Sequence, residues 1–150
     1  MGNFMKTIKL IDAEKLEGAG YVLYRMLNPA TTGSEKFMSF VAEVHPGGTI
    51  PEHTHGPAEV GLHVLEGKAS LTIDGHEELV EPGTAVCVPV GSAIGLSNAG
   101  EEVLRFIAVL SPPIDVSVCP VCGIEIRKRE QEFQPLLVGH IRDPEAPFPR

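Results

Sequence analysis

Short runs of β-branched and aromatic residues, separated by turns rich in Gly, Pro and Asp, recur along most of this 150-residue chain. The segments YVLYRML, KFMSFVAEV, GLHVLEG, KASLTI and VLRFIAVL have the length and composition of strands. Asp74-Gly75 between two of them is typical of a type I′ hairpin turn, and HPGG and EPG mark further turns. Even spacing of strands and turns predicts an all-β barrel or sandwich, rather than alternating strands and helices.

Charge and hydropathy exclude several classes of function. The formal net charge of −8 argues against a nucleic-acid-binding protein, which would need a basic patch to neutralise phosphates. The longest apolar run is far shorter than the roughly 20 residues of a membrane-spanning helix. The N-terminal sequence MGNFMKTIKL lacks the apolar segment of a signal peptide. We therefore expect a cytoplasmic protein that binds neither nucleic acid nor membrane.

The strand pattern ends near residue 110. From Ser111 onward the chain contains CPVCG and the proline-rich sequence RDPEAPFPR, and it is too short there to bury a core of its own. We expect a barrel domain at residues 1–110 and a C-terminal extension at residues 111–150 that is not an independent domain.

Two motifs that each begin with glycine resemble those of the cupin superfamily. The first is GGTIPEHTHGPAEVGLHVLEG at residues 47–67, and the second is GTAVCVPVGSAIGLSN at residues 83–98. With them the resemblance covers roughly residues 37–110. It implies a cupin jelly-roll β-barrel that holds a divalent transition metal (Fe, Mn, Ni or Zn) and, as in many relatives, pairs as a homodimer.

Two positions depart from the pattern of that family. The histidine that the second motif would supply as a metal ligand is Ile94. Counting back from Gly67, the glutamate position of the first motif falls on Val60, so Glu59 stands one residue early. A shift of one residue turns a strand side chain to the opposite face. Glu59 can therefore face the interior only if a bulge or a modified turn near Gly56 absorbs the extra residue.

His53, His55 and Glu59 form the predicted metal site. Residues i and i+2 of a strand share a face, so the two imidazoles can converge on one ion. A carboxylate would complete the two-histidine, one-carboxylate set of non-haem Fe(II) oxygenases. His63 has the strand parity of Glu59 and could replace the ligand missing at Ile94, or it could pack on the outer face. A pair of surface histidines is the simpler alternative.

The cysteines form a second candidate site. Cys119 and Cys122 resemble a zinc knuckle, which supplies two of the four ligands of a structural zinc. His140 or a second subunit could supply the others, while a redox dithiol or unpartnered thiols are the alternatives. We expect Cys87, within AVCVP, to be a small core side chain.

The leading functional interpretation is a metal-dependent enzyme that acts on a small organic molecule, an Fe(II)- or Mn(II)-type oxygenase for example. The sequence indicates no separate acid–base residue. A non-catalytic ligand-binding or sensor protein is the alternative favoured by Ile94, and a cofactor-free isomerase is a third, because this fold supports many chemistries. We also expect a homodimer, since YVLYRML and VLRFIAVL would need cover if they were exposed edges.

Overall fold

Alternating inward apolar and outward polar side chains build ten strands in the computed structural model, which describes residues 5–114. A short 3₁₀ turn at Leu10–Asp12 precedes them. The strands are β1 (Glu14–Gly18), β2 (Tyr21–Arg25), β3 (Met38–Val44), β4 (Thr49–His53), β5 (Glu59–Glu66), β6 (Ala69–Ile73), β7 (His76–Val80), β8 (Ala85–Val88), β9 (Ile94–Asn98) and β10 (Leu104–Ser111).

The strands form two antiparallel sheets that enclose one core. The larger has the order β1-β2-β3-β10-β5-β8, and the smaller has the order β4-β9-β6-β7. Neighbours in a sheet are mostly distant in sequence, as in a jelly roll, where successive strands pass from one sheet to the other. The predicted all-β barrel is thus confirmed. Within residues 5–114, no helix is long and apolar enough to span a membrane.

The core lies between the two sheets and follows the period of two that a strand imposes. In β3, Phe40, Ala42 and Val44 are buried, and Leu104 and Phe106 of the neighbouring β10 join them. Side chains of the opposite parity, such as Glu43 and Arg105, lie on the outer face and form an ion pair there. The inner face is therefore almost entirely apolar, and a polar side chain on it is a candidate functional residue.

The hairpin between β6 and β7 has the predicted turn. Asp74 and Gly75 have φ angles of 48° and 84°, the positive values that a type I′ turn requires at both central residues. The Asp74 carboxylate also accepts a hydrogen bond of 2.9 Å from the backbone N–H of Ala93, next to β9. The turn therefore helps to position the strand that begins at Ile94.

The two apolar segments expected to need a partner subunit are paired within the larger sheet. YVLYRML contributes β2, between β1 and β3, and VLRFIAVL contributes β10, between β3 and β5. Neither is an edge, because the outermost strands of that sheet are β1 and β8. The homodimer remains a prediction, but the need to cover these two segments does not support it.

Candidate functional site

The shape of β4 brings His53 into the barrel. Ile50 pairs with Leu96, whereas His53 pairs with Ile94, so the register between β4 and β9 shifts by one residue. In a regular strand, residues 50 and 53 would face opposite sides, but the shift turns both inward and buries both. Pro51 lies within the irregular stretch, where its missing N–H costs no ladder bond.

The ring of His53 is fixed in position and in tautomer. It is 5% exposed, and its Nδ1 lies 2.7 Å from the carbonyl oxygen of Pro51. A carbonyl can only accept a hydrogen bond, so Nδ1 donates and carries the proton, and in the neutral ring the lone pair is on Nε2. The half-buried ring of His55 packs edge-on against the ring of His53, at a centroid distance of 4.6 Å. Two histidines at and just beyond the end of β4 therefore lie together at the interior.

Both imidazoles line a small cavity, about 50 Å³ in volume, that opens to solvent. Its walls come from both sheets. Among the described residues that line it, His53 and His55 are the polar side chains, and the others are apolar, including Phe40, Ile50, Val60, Leu62, Phe106 and Leu110. Such a cavity suits a small organic molecule that is apolar over most of its surface and carries one polar group near the imidazoles.

Glu59 and His63 do not join the histidine pair. Along β5, Val60, Leu62 and Val64 are buried, while Glu59 and His63 are exposed on the outer face. Their membership of a metal site stays a prediction, and the structure places neither side chain beside the two imidazoles. The physical reason is the turn before the strand.

That turn is tight and adds no bulge. The N–H of Ala58 donates to the carbonyl of His55 across Gly56-Pro57, and Ala58 is buried. Regular alternation then directs Val60 inward and Glu59 outward. A shift before β5 would have turned Glu59 inward. The shift that the structure contains lies earlier, in β4, and it turns His53 inward.

Val60 and Ile94 stand where the two motifs place the missing metal ligands. Ile94 is the direct cross-strand partner of His53, and Val60 lines the same cavity from the other sheet. Within residues 5–114, no group of three or more His, Cys, Asp or Glu side chains could hold a metal ion. Protein metal centres use three or four such ligands, so the described donors do not fit a two-histidine, one-carboxylate centre.

Cys87 is exposed, which corrects its expected place in the core. It lies on β8 opposite Gly61, with Val88 taking the inward position. Its Sγ donates a hydrogen bond of 3.4 Å to Oε2 of Glu59, and this bond raises the pKa of the thiol. The Glu59 carboxylate thus has a protein partner on the outer face.

The predicted cysteine site lies outside the described residues. Cys119, Cys122 and His140 all follow residue 114, so the structural zinc and the redox dithiol stay predictions.

Sequence reasoning overlooked two parts of the site. One is the wall formed by Phe40 and Phe106, which the alternation in MSFVAEV and LRFIAV could have indicated. The other is the Pro51 carbonyl that fixes the tautomer of His53, and the sequence carries no signal for it.

Comparison with known proteins agrees with this architecture. Residues 40–110 match the family described as "Cupin domain". The dimethylsulfoniopropionate lyase DddW of Ruegeria pomeroyi is 36% identical over 113 residues, covering 70% of this chain and 73% of that protein. The polyketide synthase CurC of Streptomyces cyaneus is 27% identical over 107 residues, covering 69% of this chain and 70% of that protein.

Solved structures show the same barrel. The polyketide cyclase RemF from Streptomyces resistomycificus has a TM-score of 0.61 at 27% identity, covering 74% of this chain and 84% of its own. A predicted oxalate decarboxylase from Thermotoga maritima has a TM-score of 0.63 at 15% identity, covering 71% and 98%, and supports the fold alone. The chain belongs to the cupin superfamily.

Proposed function

We propose that this cupin binds a small, largely apolar organic molecule in its barrel and catalyses a non-redox proton transfer on it through His53 and His55. The observation that carries the proposal is the pair of imidazoles, 4.6 Å apart, in a cavity whose other described lining is apolar. Imidazole is the side chain best suited to exchange protons near neutral pH.

His53 is the candidate base in this scheme. Its Nδ1–H is held by the Pro51 carbonyl, so Nε2 carries the lone pair that would take a proton from the substrate. The fixed ring requires little reorganisation, and the surrounding aliphatic side chains keep most water away.

His55 is the candidate proton relay. It lines the cavity, is partly exposed and packs against His53, so it can carry a proton between the cavity and solvent. In this scheme His53 takes the proton from the substrate and His55 passes it on.

The named relatives support chemistry of this type. One is a polyketide cyclase by name and another is a lyase. Ring closure of a polyketide and elimination by a lyase can both proceed through removal of a proton from carbon, and neither consumes an oxidant. We therefore place the substrate among small molecules with an acidic C–H beside a carbonyl group.

A metal-dependent oxygenase receives less support. Its centre would need Glu59 or His63 beside the histidines, and both lie on the outer face. The two imidazoles alone could hold an ion, and such an ion would polarise a bound carbonyl, but their number is below that of known catalytic sites.

A direct test is hydrogen–deuterium exchange at the methyl group of acetophenone, a small apolar ketone whose spontaneous exchange is slow. Protein dialysed against EDTA is mixed with acetophenone in D₂O, and loss of the methyl signal is followed by proton NMR. We expect the wild-type protein to accelerate exchange, and His53→Ala to reduce that acceleration about 100-fold, which is typical for removal of a general base.

The matched control is His63→Ala, the same substitution on the outer face of β5. It should exchange at the wild-type rate. Equal rates for wild type and His53→Ala would refute the catalytic role. Binding of acetophenone without acceleration would favour the second candidate, a non-catalytic ligand-binding protein, which the aliphatic Ile94 beside His53 also favours.

A further inference from the structure

We infer that the barrel retains the geometry of a four-ligand metal site with two of the four donors replaced by aliphatic side chains, so that an organic ligand meets the imidazoles directly and not through an ion. The two replacements are Val60 and Ile94. This inference rests on the proposed function for the identity of the ligand, but the geometry behind it is independent.

The four positions converge on one cavity. His53 and Ile94 lie side by side on the inner face of the smaller sheet, as cross-strand partners of β4 and β9. His55 contacts the ring of His53, and Val60 lines the cavity from the larger sheet. Side chains from three separate elements therefore surround one volume, which is the arrangement that metal coordination requires.

The charges of the surrounding side chains determine which kind of ligand the wild-type cavity can bind. A divalent cation at the imidazoles would lose much of its hydration against Val60, Ile94 and their aliphatic neighbours. The carboxylates that flank the two histidines along the chain belong to Glu52 and Glu59, and both residues are exposed. Glu59 is also bonded to Cys87 on the outer face. Neutral imidazoles do not compensate two positive charges, so a neutral organic molecule is the better occupant.

The test is to restore the donors. Val60→Glu combined with Ile94→His would place a carboxylate and a third imidazole around the same volume. Mn²⁺ is the probe, because it prefers oxygen and nitrogen ligands and competes poorly for the thiolates of the C-terminal extension. Binding is measured in the full chain as loss of the electron paramagnetic resonance signal of free Mn²⁺.

We expect the double variant to bind one Mn²⁺ at least about 100-fold more tightly than the wild-type chain, for which little loss of signal is expected at equimolar protein. Adding His53→Ala and His55→Ala to the double variant should abolish the gain. Glu59→Gln in the double variant is the matched control, since this outer-face carboxylate should leave Mn²⁺ binding unchanged.

Two results would overturn the inference. One is stoichiometric Mn²⁺ binding by the wild-type chain that is lost on substitution of His53 and His55. The other is a folded double variant, with the wild-type circular dichroism spectrum, that binds no more Mn²⁺ than the wild type.

A milder variant covers the case in which the buried glutamate prevents folding. Ile94→His alone adds a third imidazole opposite His53, and it is tested with Ni²⁺ in a Cys119→Ser, Cys122→Ser background. We expect binding about 10-fold tighter than in that background alone. No gain would count against the inference. Because neither experiment uses acetophenone, failure of the proposed catalysis leaves this result unchanged, and the reverse also holds.

Discussion

Asn98 is the last residue of β9, the strand that pairs with β4 at His53, and its side chain links the two sheets. Its side chain is buried and makes three hydrogen bonds. Nδ2 donates to the carbonyls of Val44, at 2.9 Å, and Glu102, at 2.7 Å, while Oδ1 accepts from the N–H of Gly100 at 2.8 Å. Val44 belongs to the larger sheet and Asn98 to the smaller, so one amide spans the barrel wall.

Asn98→Ala would break all three bonds and leave their backbone partners without that amide. At a net contribution of about 1 kcal/mol for each bond, we expect the free energy of unfolding to fall by about 3 kcal/mol. Urea denaturation followed by circular dichroism measures this as a lower midpoint with an unchanged slope.

Asn98→Asp is the matched variant, because it keeps the acceptor for Gly100 but presents a carboxylate to two carbonyl oxygens. At neutral pH we expect it to be at least as destabilising as alanine, since a partly buried charge would face like partial charges. A loss below about 1 kcal/mol for Asn98→Ala would show that this amide contributes little to linking the two sheets.

Three further predictions concern the outer surface and assembly. Hydrogen bonds from Ser92 and Ala93 lower the pKa of Asp74, so its contribution to stability is present above its usual pKa of 3.8 and lost as pH falls below that value. Acid titration of unfolding should show this loss in wild type but not in Asp74→Asn, which tolerates the positive φ. The Glu59 carboxylate raises the pKa of the Cys87 thiol, so Glu59→Gln should speed iodoacetamide alkylation of Cys87 at pH 8, measured by peptide mass spectrometry; an unchanged rate would contradict the contact. Light scattering should give twice the 16.1 kDa chain mass if the chain is a homodimer, and a single-chain mass would refute that prediction.

The sequence predicted those features that depend on local pattern. Alternating apolar residues located the strands, and Asp74-Gly75 located a type I′ hairpin, because each feature is determined by a few neighbouring residues. The inward position of Val88 could also have been taken from alternation. Cys87 is its neighbour and must face outward, whereas the general tendency of cysteine to be buried led to the wrong prediction.

The facing of Glu59 could not be predicted in the same way. Glu59, Gly61 and His63 form one parity set of β5, and Val60, Leu62 and Val64 form the other. Burial of three branched aliphatic side chains removes far more apolar surface from water than burial of the first set. That difference favours Val60 inside, but the sequence does not show that the turn before β5 adds no bulge. The shift lies instead in the pairing of β4 with β9, which are distant in sequence.

The parity of β5, which turns Val60 and not Glu59 inward, has a consequence for the chemistry of the cavity. With Glu59 inside, His53 and His55 would be two thirds of a metal centre able to activate oxygen. With Val60 inside, the same imidazoles stand in an apolar cavity, and we propose that their own proton chemistry acts on a bound molecule. Under the function proposed here, a change of one residue in strand parity separates two reaction classes on an unchanged fold. The side chains at residues 53, 55, 60 and 94, and not the barrel, would then determine the chemistry.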